Sequence, residues 1–120
     1  MKLKFRLPPY RAPRNAWREA ISREAIRAGG ESLGYKIDDR LEIDVRLYMK
    51  APLLQVHDVD NRLKDILDAL QGRMGGSKAV HAHPRIIPND TVIYRVTIEK
   101  KAPPRQSRGL GHVVIRRLPP

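Results

Sequence analysis

The chain is 120 residues long, 41% hydrophobic and free of cysteine, and its 24 Lys and Arg against 13 Asp and Glu give a net charge of +11. Such a length predicts one domain, residues 1–120, with a modest core; the missing cysteines exclude disulfides and thiolate metal sites, as suits a reducing cytoplasm. No apolar run approaches the roughly 20 residues of a membrane span, and Met1-Lys2-Leu3-Lys4 has no signal-peptide core behind it, so a soluble protein without membrane association is expected.

Lys2 to Leu7 alternates, with Leu3, Phe5 and Leu7 on one face and Lys2, Lys4 and Arg6 on the other, which predicts a strand stopped by Pro8-Pro9. Pro13 and Asn15 then open a helix. Its apolar stripe is Trp17, Ala20, Ile21, Ala25 and Ala28, its end is Gly29-Gly30, and Arg14, Arg18, Arg23 and Arg27 take its other faces. The clearest strand is Arg40 to Lys50, with Leu41, Ile43, Val45, Leu47 and Met49 inward and Glu42, Asp44, Arg46, Tyr48 and Lys50 outward. A second helix is expected over Asp60 to Leu70, buried along Leu63, Ile66, Leu67 and Leu70. Residues 71–88, with three glycines and two prolines, read as a long loop. Two strands, Thr91 to Glu99 and His112 to Leu118, follow, joined by Lys101 to Gly111. The order β-α-β-α-β-β predicts an α+β fold, a mixed α/β sandwich in which one mixed sheet is packed by two helices.

Charge is unevenly spread. Residues 1–30 and 91–120 each carry +6, while the sixty residues between them carry −1. Basic surface draws in nucleic acid by neutralising phosphates and releasing counterions. Arg11, Arg14 and Arg18 near one end and Lys100, Lys101, Arg105 and Arg108 near the other are the candidate DNA-contacting residues, against the plainer reading of a solvated basic surface. The acidic centre holds His57-Asp58-Val59-Asp60-Asn61-Arg62-Leu63-Lys64. Asp58 and Asp60, side by side in a basic protein, repel each other unless a cation sits between them, and a divalent metal is the natural candidate. Asp60 also suits a helix N-cap. Lys64, one turn on, can reach back over the same site or simply form an i,i+4 ion pair. A calcium loop of EF-hand type fails, since Arg62 cannot ligate and the twelfth position is Ala69. Asp68 is expected to be solvated or paired with lysine.

The pattern Asp58-x-Asp60-Asn61-x-x-Lys64, then Asp68-Ala69-Leu70 and Ile87-Pro88-Asn89-Asp90 before a strand, resembles the RusA family of Holliday junction resolvases, along nearly the whole chain. The resemblance implies that Asp58, Asp60 and Asp90 bind Mg2+, that Lys64 assists cleavage, and that a homodimer cuts two strands of a four-way DNA junction symmetrically. The chain departs from the family in having Asn89 where an acid is usual, Gln55-Val56-His57 in place of basic residues, and a longer connection into Asp90. His81 and His83 lie in that connection; two histidines without a third ligand are expected to be solvated, not a metal site, and any use they have is expected to be contact with DNA or a partner subunit. The expectation is a Mg2+-dependent, structure-selective endodeoxyribonuclease of DNA recombination and repair. Its rivals are a non-catalytic junction- or duplex-binding module, which needs no converging carboxylates, and a small RNA-bound structural protein, for which six aromatic residues offer little stacking surface.

Overall fold

The chain runs β1 (Lys2–Leu7), α1 (Arg14–Arg27), β2 (Leu41–Tyr48), α2 (Leu53–Val56), α3 (Val59–Leu70), β3 (Arg73–Met74), β4 (Val80–His81), β5 (Ile93–Lys101) and β6 (Gly111–Arg117) in a computed structural model that describes residues 2–74, 80–81 and 84–119. β1 pairs antiparallel with β6, β6 antiparallel with β2, and β2 parallel with β5, giving a four-stranded mixed sheet of order β1-β6-β2-β5. A parallel pair needs a crossover, and the route from β2 to β5 through α2, α3 and the short hairpin β3–β4 supplies it. The expected α+β architecture, one mixed sheet covered by helices, is the architecture found.

Strict alternation in β1 and β2 turns one face of the sheet toward the helices. Leu3, Phe5 and Leu7 of β1, Leu41, Ile43, Val45 and Leu47 of β2, and Val113 and Ile115 of β6 are buried beneath Trp17, Ile21 and Ala25 of α1 and Ile66, Ala69 and Leu70 of α3. Each fully buried large side chain contributes about 1.5–3 kcal/mol of transfer free energy. Trp17 keeps its indole satisfied by donating Nε1 to the Pro8 carbonyl at 2.9 Å, which fixes the angle at which α1 leaves β1. β5 closes one edge of the sheet, and its Tyr94 and Val96 remain exposed. No helix among the described residues is long and apolar enough to cross a membrane.

Three expectations change. The long connection after α3 is not featureless, since Arg73 pairs with His81 and Met74 with Val80 as a two-stranded ladder; His83 and the side chain of His81 lie outside the described residues. Residues 90–92 form a turn of 3-10 helix, which moves the start of β5 to Ile93. The buried face of α3 is Arg62, Asp65, Ile66, Ala69 and Leu70, while Leu63 and Leu67 are only half-buried. Likewise Ser22 and Arg18 are buried on α1, and Ala28 is exposed. Arg18, Arg62 and Asp65 are buried because they form ion pairs between the two helices, described below.

Gly111 lies where β6 passes between β1 and β2, opposite Leu7. A Cβ added there would stand 1.9 Å from the Arg46 carbonyl oxygen, a clash with backbone that only a shift of the strand relieves. Gly111→Ala is expected to destabilise the protein by about 2–3 kcal/mol. Equilibrium unfolding in urea measures this, and an unchanged midpoint would mean that β2 and β6 lie further apart than described.

Candidate active site

Asp60, Lys64 and Asp68 recur every four residues on α3, so each side chain stands one turn above the last with a rotation of about 40°. Together with Leu63, Leu67, Arg73 and Asp90 they line an open cleft of about 410 Å³. Asp60 lies in the first turn of α3, where the exposed amide ends of the helix favour negative charge. Asp58 is the residue that precedes the helix, in extended conformation, with no side-chain cap bond. The N-cap position expected for Asp60 is thus taken by Asp58. Asp58 is exposed and does not line the cleft. Of the three aspartates singled out in the sequence, the fold brings Asp60 and Asp90 into one cleft and leaves Asp58 at its approach.

Asp90 arrives from a distant part of the chain, and specific bonds fix its position. The last turn of α3 holds the returning segment, because the Leu70 carbonyl accepts from the amides of Ile86 at 2.7 Å and Ile87 at 3.1 Å. Gln71, 2% exposed, donates its amide Nε2 to the Leu67 carbonyl and accepts the Asp90 backbone N–H through Oε1 at 3.3 Å. Asn89 caps the following turn by accepting from the Thr91 amide at 2.9 Å. Its role here is to shape the backbone under Asp90. Gln71 was not legible as a positioning residue, because nothing local in the sequence points to a partner 19 residues away.

Among the described residues no three His, Cys, Asp or Glu side chains gather as a metal cage. The donors that share the cleft are still of the type Mg2+ takes: hard carboxylate oxygens at an open surface, where the ion keeps several waters and is held by one or two carboxylates and a substrate phosphate. Asp60 and Asp90 fit that pattern, both being exposed and neither carboxylate being engaged by a described residue. Asp68 differs, since Oδ2 takes an ion pair from Arg18 Nη2 at 3.2 Å; its partner is arginine, where solvent or lysine was expected. Lys64 forms no ion pair with any described residue, so the plain i,i+4 pair is not what holds it.

Behind the cleft, Asp65 is fully buried and gathers cations from both helices. Arg14 reaches Oδ1 at 2.8 Å and Arg18 at 3.1 Å, while Arg62 approaches Oδ2 at 3.4 Å. The bond to Asp65 raises the Arg14 guanidinium further above its ordinary value. Arg62 also lies over the Tyr10 ring at 4.3 Å, and Tyr10 meets Trp17 edge-on at 5.1 Å and His57 at 4.6 Å. Burial, with Arg62 and Lys100 nearby, lowers the pKa of His57, so its ring is held neutral down to a lower pH than usual. Lys100 donates to the Leu54 carbonyl and, at 2.7 Å, to the His57 carbonyl, which ties β5 to the turn that carries Asp58.

The candidate DNA-contacting residues therefore divide. Arg11, Lys101, Arg105 and Arg108 are exposed. Arg14 is half-exposed but bonded to Asp65. Arg18, 7% exposed, and Lys100, whose ammonium is spent on two carbonyls, are internal ties, a correction to their reading as surface grips. No family model matches the chain, and no curated protein matches it either.

Proposed function

We propose that this chain is a Mg2+-dependent endodeoxyribonuclease that cuts four-way DNA junctions in recombination and repair. The observation that carries the reading is one open cleft lined by Asp60, Asp68 and Asp90 together with Lys64 and Arg73, in a protein of net charge +11. Carboxylates concentrated in a basic protein have a use if a cation joins them to a polyanion, and the motif resemblance to RusA-type resolvases points the same way. A non-catalytic binding module would have no use for the cleft's acids. Paired symmetric cutting fits a homodimer with one site in each protomer, because a four-way junction presents two equivalent strands and two-fold symmetry matches them.

Hydrolysis forms a bond from a water oxygen to the scissile phosphorus and breaks one phosphorus–oxygen bond of the backbone. When bound, the ion polarises the phosphate and lowers the pKa of the attacking water. Asp60 and Asp90 would hold it, Asp60 from the first turn of a packed helix and Asp90 from a backbone pinned by Gln71. Lys64 would offset negative charge growing on the non-bridging oxygens, and its side chain is not already committed to a described carboxylate. Arg73, which also lines the cleft, would keep the phosphate in it.

Incubating the protein with a synthetic four-way junction and with linear duplex, with and without Mg2+, tests the reading. Paired symmetric nicks in the junction, only with Mg2+, are expected; binding without cutting would leave the non-catalytic module. Lys64→Ala is expected to slow single-turnover cleavage by about 10- to 1,000-fold, roughly 1.4–4 kcal/mol, with little loss of affinity. An unchanged rate would remove Lys64 from the chemistry.

A further inference from the structure

A second cleft, of about 520 Å³, opens between the approach to α1, the end of β2 and the β5–β6 connection. Tyr10, Tyr48 and Met49 give it aromatic and apolar walls, Lys50, Arg105 and Arg108 stand around it, and no acidic residue is among those that line it. We propose that this cleft is a nucleotide subsite, which takes one unstacked base of the DNA strand between its tyrosine-bearing walls and the flanking phosphate on its cations; the proposal rests on the nuclease reading above.

Size, chemistry and position agree. Ligand clefts of about 300–1,000 Å³ are the usual range, and a nucleotide falls within it. A base has a flat π-face suited to tyrosine and carries an anionic phosphate beside it, the combination that single-strand binding sites meet with aromatic platforms and positive charge. Duplex DNA cannot offer an apolar cleft an exposed base face, whereas the strand exchange point of a junction can, since unpairing there is least costly. The cleft lies beside the turn that leads into α3, because Tyr10, one of its walls, packs against His57, next to Asp58, and is backed by the guanidinium of Arg62. Arg62 is 6% exposed and its Nε and Nη1 have no hydrogen-bond partner among the described residues, so the face of Tyr10 is among the contacts that hold it in place.

The β5–β6 connection is built to present Arg108. Ser107 Oγ donates to the Pro104 carbonyl at 2.8 Å and accepts the Gly109 amide at 3.2 Å, and the Leu110 amide donates to the Ser107 carbonyl at 3.0 Å. Arg108 is held at φ 57°, in the left-handed region, just before Gly109 at φ 76°. An arginine is strained there where glycine is not, and such strain gathers at ligand clamps.

The test uses a fluorescein-labelled pentathymidylate in EDTA, where no cleavage can occur, read by anisotropy, and a four-way junction with 2-aminopurine at the exchange point, read by fluorescence. Wild-type protein is expected to bind the oligonucleotide and to brighten the 2-aminopurine as it unstacks. Tyr48→Ala should weaken oligonucleotide binding about 10-fold or more and abolish the brightening, while Tyr48→Phe, which keeps the stacking face, restores both. Arg108→Gly should weaken binding in a protein that melts no lower than wild type, because the turn is relaxed by the same change; Lys36→Ala, an equal loss of charge elsewhere, should leave binding close to wild type. Equal affinities for wild type and Tyr48→Ala overturn the subsite even if junctions are cut normally, as does Tyr48-dependent binding of a glutamate-rich peptide in place of the oligonucleotide. Tyr48-dependent oligonucleotide binding in a protein that cuts no junction sustains the subsite and removes the nuclease reading instead.

Discussion

Asp90→Asn protein is expected to bind a four-way junction at least as tightly as wild type and to cut it about 1,000-fold more slowly or worse. The substitution keeps the shape of the side chain and removes its charge, in a cleft where Asp60 and Asp90 are the carboxylates that no described residue engages. Losing one of two charged ligands weakens the hold on a divalent ion and the polarisation it supplies, and a loss of about 4 kcal/mol in transition-state stabilisation is a factor of about 1,000 in rate. Binding survives because the exposed cations Arg11, Lys101, Arg105 and Arg108 are untouched, and one negative charge fewer faces the phosphates. Gel-shift and cleavage assays on the same preparation decide the matter; a wild-type cutting rate would remove Asp90 from the site. Asp58→Asn, run beside it, separates two forms of the site. Lost cleavage there means that the turn before α3 brings Asp58 to the ion when DNA is bound, and retained cleavage leaves the chemistry to the residues that already line the cleft.

Asp65→Ala is expected to cost about 3–5 kcal/mol of stability, a large part of the total for a domain of this size. Asp65 is fully buried, and its carboxylate is the shared partner of Arg14, Arg18 and Arg62. Without it the buried guanidinium of Arg62 loses its carboxylate partner among the described residues, while Arg18 keeps its ion pair with Asp68 and its bond to Asn15. The damage comes less from lost attraction than from charge stranded away from water. Replacing Arg18, Arg62 and Asp65 together by apolar residues of similar volume should therefore destabilise far less than removing Asp65 alone. Urea unfolding of both variants measures the difference; a loss below about 1 kcal/mol for Asp65→Ala would show that the cluster is open to solvent.

The same cluster explains where the sequence was a good guide and where it was not. β1 and β2 follow from strict alternation, and the inward set Leu3, Phe5, Leu7, Leu41, Ile43, Val45 and Leu47 is buried as the period requires. On α3 the apolar residues suggested a stripe through Leu63 and Leu67, but the face toward α1 is set by Arg62 and Asp65. A charged residue at helical spacing is normally read as outward, and only knowledge that Arg14 and Arg18 lie opposite reverses that. Asp60 and Lys64 are visible because unlike charges crowd into a short motif, whereas Asp90 is indicated only by the resemblance of Ile87-Pro88-Asn89-Asp90 to the RusA pattern. Asp68 was set aside as a solvated or lysine-paired acid, yet its spacing of four from Lys64 already put it on the same face. Lys100 looked like one more surface cation, since nothing in a run of two lysines distinguishes the one that finds backbone carbonyls from the one that stays in solvent.

Leu70 and Gln71 grip the returning chain at Ile86, Ile87 and Asp90, and so the excursion between them is closed at its neck like a drawstring. Beyond Arg73, which still lines the cleft, its length is uncoupled from the placing of Asp90. Doubling a closed loop costs only about 0.6 kcal/mol in chain entropy, so residues can be gained or lost between 74 and 84 across generations without displacing the aspartate that follows. A long connection is thus a freedom the neck permits, since its length and what it reaches can change while Asp60 and Asp90 keep their places.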